Sequence, residues 1–110
     1  MNFDNLLVSQ LVGAENTEVV VSRVTVPPNT TLPKHWHPGE EFAYILEGSL
    51  ILWQDGKEEE EYKKGDVGVV PYKQNHTIMT KEEGVTVLIF RVHELGQPER
   101  ILTEQAVSNG

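Results

Sequence analysis

A chain of 110 residues and 12.4 kDa has room for one hydrophobic core, so a single domain over residues 1–110 is expected. Seventeen acidic against nine basic residues leave a net charge of −8 with His neutral, which a nucleic-acid duplex or an anionic membrane surface would repel. The absence of cysteine excludes disulfides, thiol catalysis and Cys-based zinc or iron–sulfur sites. Met1-Asn2-Phe3-Asp4 shows neither a basic n-region nor an apolar h-region, and no apolar run is long enough to cross a bilayer, so the expected location is cytoplasmic.

The first fifteen residues carry Phe3, Leu6, Leu7, Leu11 and Val12 and fit either a short helix or a strand. From there apolar runs are short, β-branched and separated by turn residues, the pattern of an all-β domain. Glu18 to Val26 reads as a strand ended by Pro27-Pro28-Asn29, because Pro cannot donate to a ladder. Thr31 to His37 is a weaker strand signal. Glu41 to Leu46 and Leu50 to Gln54 follow, hinged at Glu47-Gly48-Ser49. Asp55-Gly56 suits a type I′ hairpin, whose two central residues both need φ > 0. The return strand, Lys57 to Lys63, carries four consecutive glutamates, Glu58 to Glu61, and so reads as a solvated edge that resists strand addition. Val67 to Val70 and His76 to Thr80 are two more strands. Val85 to His93 is the most apolar; both of its faces are apolar in the middle, which predicts cover on both sides. Many short strands at even spacing predict a barrel or a double-sheet sandwich. The polar tail after Leu102 is expected to fray.

The chemistry concentrates in the four histidines, His35, His37, His76 and His93. Residues i and i+2 of a strand share a face, so His35 and His37 present both imidazoles together while Trp36 points away. Glu41 lies four residues further on, about 13 Å along a straight strand and too far to share an ion. Pro38-Gly39 is a turn signal that would fold Glu41 back beside His37. His76 follows the Pro71–Asn75 turn and can enter from a different wall. Three imidazoles and a carboxylate suit one divalent transition metal (Mn, Fe, Ni, Cu or Zn) and leave coordination positions for water and substrate. The bland alternative is that these are ordinary surface or core histidines.

The stretch from His35 to Gly48, HWHPGEEFAYILEG, resembles the first cupin motif, HxHxxxE followed after six residues by Gly. Residues 65–76, GDVGVVPYKQNH, resemble the second, Gly, five residues, Pro and then His. The likeness spans about residues 18–93 and is to the small single-domain members of the family. It implies a β-barrel of jelly-roll type with His35, His37, Glu41 and His76 as metal ligands; His93 matches neither motif. It also implies an assembly, since cupins often pair, and the apolar Val85–Val92 strand and N-terminal residues make a homodimer the expected state. Asn29 and Lys73 stand where the motifs often have Gly, and Thr80 where the second often ends in Asn.

Alternation places Ala43, Ile45, Ile78 and Thr80 on the metal's side, so the cavity should be mostly apolar. Arg23 and Arg91 each interrupt an apolar strand; inside the barrel either could clamp a carboxylate, and otherwise each faces solvent or pairs with an acid. Phe42, Tyr44, Trp53, Tyr72 and Phe90 are aromatic candidates for the cavity lining, against core or interface packing as the plainer reading. No GxGxxG, P-loop or GxSxG is present. Two functions fit. The first is a metalloenzyme acting on a small oxygenated molecule, dioxygenase-like or lyase- or isomerase-like, in which Glu41 could also shuttle a proton. The second is a non-catalytic small-molecule binding or sensing module.

Overall fold

A computed structural model describes residues 1–98 and 100–103. The tail expected to fray lies outside these residues except for Thr103, which is held by Lys34 O at 2.9 Å and Asn75 Oδ1 at 2.8 Å. Among the described residues every element is a strand: β1 (Asn2–Gln10), β2 (Thr17–Val26), β3 (His35–Trp36), β4 (Gly39–Gln54), β5 (Glu60–Lys63), β6 (Val67–Val70), β7 (His76–Met79), β8 (Val85–Glu94) and β9 (Ile101–Leu102). Among the described residues no helix is long and apolar enough to cross a membrane.

The strands form one curled antiparallel sheet in the order β1-β2-β8-β4-β7-β3-β9, with β5 and β6 also pairing to β4. The curl comes from β4. Its first half pairs with β8 and β6, its second half with β5 and β7. A register shift between Ile45 and Glu47 and a positive φ of 76° at Gly48 bend it from one wall to the other. The hinge read at Glu47–Ser49 is therefore a bend in a single strand, not a break between two. A Cβ on Gly48 would sit 1.9 Å from Gly84 O, so only glycine fits this corner.

Inward residues follow strict alternation. Val20, Val24 and Val26 on β2 meet Val85, Val87 and Ile89 on β8, joined by Ile45, Leu50 and Leu52 from β4. Each such side chain contributes about 1.5–3 kcal/mol by burial.

Several local expectations change. The N-terminal segment is a strand, all of it exposed, because it is paired on one side only, to β2. Thr31–His37 shortens to the two residues of β3 plus an isolated bridge from Thr31 to Met79, since Pro33 cannot donate to a ladder. Only Gly56 of Asp55-Gly56 takes a positive φ, so the turn is not type I′, and the return strand begins late, at Glu60. The Glu58–Glu61 run is exposed, as expected of an edge. Strand β8 is buried on its inner face only; its outer residues Thr86, Leu88, Phe90 and Val92 are half-buried or exposed, because no second layer of described residues covers them.

Candidate metal centre

His35 on β3 and His76 on β7 are cross-strand partners, with ring centroids 4.4 Å apart. His37 follows β3 with its ring 4.9 Å from that of His35 and 5.0 Å from that of His76. All three are buried, and one ligating atom from each lies within 4.8 Å of the others. His76 thus comes from the neighbouring strand of His35's own wall, not from a different one. The opposite wall supplies Glu41, the third residue of β4, and Arg91 of β8, its register partner.

The ring orientations have a local cause. His35 Nδ1 donates to Pro33 O at 2.7 Å, and His76 Nδ1 donates to Gln74 O at 2.8 Å. A carbonyl oxygen only accepts, so each of these rings carries its proton on Nδ1 and leaves Nε2 as a bare lone pair. This is the outer support that metal-ligating histidines ordinarily have. The turn before His76 keeps its shape without glycine: Lys73 takes a φ of 60°, and its N–H donates to His37 O at 3.3 Å. Asn29 likewise takes a φ of 53°. Thr80 accepts from Thr30 N at 3.0 Å and donates to Pro27 O at 2.6 Å, tying down the turn after β2. The three departures from the cupin motifs therefore preserve backbone shape.

The Pro38-Gly39 bend brings Glu41 back as expected. Glu41 Oε2 lies 2.5 Å from His37 Nε2, 3.9 Å from His76 Nε2 and 3.7 Å from Arg91 Nε. Burial alone would raise the Glu41 carboxyl, but the His37 hydrogen bond, then the His37, His76 and Arg91 charges, outweigh it and hold the group at about 2. Burial lowers the His35 imidazole to about 4 against the raising effect of its Pro33 bond. Burial also lowers His76. At neutral pH His35 and His76 are therefore uncharged and Glu41 ionised, the states in which these groups ligate.

These groups open into a cavity of about 220 Å³ with walls that include Ile45, Leu52, Val70, Val87 and Ile89. Ala43, Ile45 and Ile78 line it as alternation requires; Thr80 does not, being committed to the Pro27–Thr30 turn. Arg91 lines the cavity, whereas Arg23 is exposed and 3.7 Å from Asp4. None of Phe42, Tyr44, Trp53, Tyr72 and Phe90 lines it. The aromatic residues that do, Phe3 and Tyr62, were not singled out from the sequence, nor was Arg100. Tyr62 carried a signal, being the sole apolar residue among the charges of β5, and it packs against the inner side of β6 at Gly68. His93 is buried outside the cavity, 2.8 Å from Glu18 Oε1.

Residues 22–91 match the cupin-domain family. The chain belongs to the cupins. It is 42% identical over 65 residues to a 3-hydroxyanthranilate 3,4-dioxygenase of Burkholderia cenocepacia, a match that covers 56% of this chain but only 37% of the dioxygenase. The cupin fold is shared with a DMSP lyase of Ruegeria pomeroyi at a TM-score of 0.73 and 24% identity, over 78% of this chain and 43% of that one. It is shared as well with oxalate decarboxylase of Bacillus subtilis at a TM-score of 0.69 and 24% identity, over 87% of this chain and 26% of that one. This cupin thus spans less than half the length of each of these three proteins.

Proposed function

We propose that His35, His37, Glu41 and His76 hold one divalent transition metal, from the set Mn, Fe, Ni, Cu and Zn, and that this cupin is a metalloenzyme for a small oxygenated molecule. The observation that carries the reading is the convergence of three buried imidazoles, two of them fixed with Nε2 bare, at the polar end of an apolar cavity. Three nitrogen donors and one carboxylate are the chemistry of a borderline divalent ion. Such an ion supplies a Lewis acid for a substrate oxygen and, where it is redox-active, the electrons for oxygen chemistry. The chain's own residues do the rest. The β3–β7 pair orients the donors, and the aliphatic walls exclude water around the reacting group. Glu41, whose Oε2 lies 2.5 Å from His37 Nε2, is placed to pass a proton only when it leaves the coordination sphere. Relatives named as dioxygenase, lyase and decarboxylase support an enzyme of this general kind.

The second reading is a binding or sensing module. It is favoured by the scarcity of acid–base groups: Glu41 is the one carboxylate among the described residues lining the cavity. Metal analysis and turnover separate the two. One equivalent of metal per chain, lost in His37→Ala together with product formation, supports the enzyme. Metal with tight ligand binding and no product over hours supports the sensor.

We also propose that two copies pair through the outer face of the wall carrying β1, β2, β8, β4 and β6. Leu7, Val21, Phe90, Phe42 and Val69 are consecutive register partners and form one apolar row across these five strands. Leu7 is 51% exposed and Val69 48% exposed in the single chain. The row itself carries no charge, as an apolar contact between two copies requires.

A further inference from the structure

Arg91 is the buried charge that the metal reading leaves over. It lies on the inner face of β8, in the row Val20–Arg91–Glu41, and lines the cavity with only 5% of its surface exposed. Its Nε and Nη1 are buried with no hydrogen-bond partner among the described residues. The Glu41 oxygen beside it, 3.7 Å from Nε, is beyond hydrogen-bond length, and that same oxygen is engaged by His37. A guanidinium cannot shed its proton, so a buried one with unmade hydrogen bonds is costly unless an anion comes to it.

We propose that Arg91 anchors the carboxylate of the substrate, a small organic acid whose apolar body lies against Ile45, Leu52, Val87 and Ile89. The proposal rests on reading this cavity as the substrate site. A guanidinium matches the two coplanar oxygens of a carboxylate. A phosphate would press further oxygens and a second charge against aliphatic walls. The other arginine lining the cavity, Arg100, is exposed and lies over the Phe3 ring at 5.2 Å, so it does not compensate a buried phosphate.

Benzoate and benzamide, alike in shape and different in charge, test this when titrated into the purified chain and followed by ligand-observed NMR. Both the protein as isolated and the chelator-treated protein are used. Benzoate is expected to bind in both, and benzamide at least roughly tenfold more weakly. Arg91→Gln should weaken benzoate by a similar factor. Arg91→Lys, which keeps the charge and loses the planar donor set, should weaken it by about threefold. Metal content should not change in either variant. Circular dichroism checks folding, and Arg91→Lys carries the test if Arg91→Gln does not fold. Equal binding of benzoate and benzamide, no benzoate binding, displacement of benzoate by equimolar inorganic phosphate, or unchanged benzoate affinity in the variants overturns the proposal. Benzoate selectivity in a protein that never takes up metal would sink the metal reading alone. Metal uptake without benzoate selectivity would sink this one alone.

Discussion

His35 and His76 stand directly opposite each other on β3 and β7, and each is held by the same device, an Nδ1–H donated to the carbonyl two residues earlier in its own chain segment. The device fixes ring orientation and tautomer together. It also makes burial tolerable, because the one proton on each ring has a partner and the ring stays neutral.

That neutrality has a pH signature in metal-free protein. An imidazole held at about 4 in the fold and at 6.5 when unfolded takes up its proton first in the unfolded chain. Stability is therefore full above pH 6.5 and falls as pH drops toward 4, by roughly 3 kcal/mol if His35 acts alone. Glu41, held at about 2 against 4.5, adds a second loss between pH 4.5 and 2. Urea midpoints of chelator-treated protein should decline on acidification through both windows. A flat profile between pH 6.5 and 4 would show that His35 is not buried in neutral form.

The corner glycines should be intolerant and the left-handed lysine forgiving. Gly48→Ala would place a methyl 1.9 Å from Gly84 O, and Gly39→Ala one 2.0 Å from Val92 O. Each should cost about 2–4 kcal/mol in chemical denaturation. Lys73→Gly removes a side chain from a φ of 60° and should change stability by less than about 1 kcal/mol in either direction.

Buried His93 and half-buried Glu18 pair across β8 and β2, 2.8 Å apart. Glu18→Ala strands the His93 Nε2–H, whose ring already buries Nδ1 without a partner, and should cost about 1–3 kcal/mol. Glu18→Gln keeps an accepting oxygen and should cost less than half as much. Equal losses from the two variants would mean that the hydrogen bond contributes little.

Pairing through the outer face is tested by sedimentation. The wild-type mass should be twice 12.4 kDa, and Phe90→Lys, at the centre of the row, should halve it without changing circular dichroism. A wild-type mass near 12.4 kDa would remove the dimer.

Most of the strand plan was legible in the sequence because turn residues and β-branched runs are local signals. Val67–Val70 ended where Pro71 said it would. The convergence of the three histidines and Glu41 was legible for a similar reason: HxH alternation, a Pro-Gly bend and a second turn before His76 are each readable over a few residues. Which wall each ligand comes from depends on register between distant strands, and no local signal carried that β3 pairs β7. The sequence showed that both faces of β8 are apolar, but not whether a second layer or a second molecule would cover the outer one, because the pattern is the same in either case. Phe3 reaches the cavity through the β1–β2 register, where it pairs with Val24. Arg91 and Arg23 looked alike in sequence; only strand parity separates them, since Arg91 shares its face with Ile89 and Val87, and Arg23 alternates away from Ser22 and Val24.

The most direct measurement is elemental analysis of the protein purified without chelator or metal-affinity resin, alongside His35→Ala, His37→Ala and His76→Ala. The site described here requires close to one equivalent of a single divalent transition metal in the wild type and its loss in each folded variant. Metal-free wild-type protein that takes up none of Mn, Fe, Ni, Cu or Zn on addition, or variants that retain the ion, would contradict it.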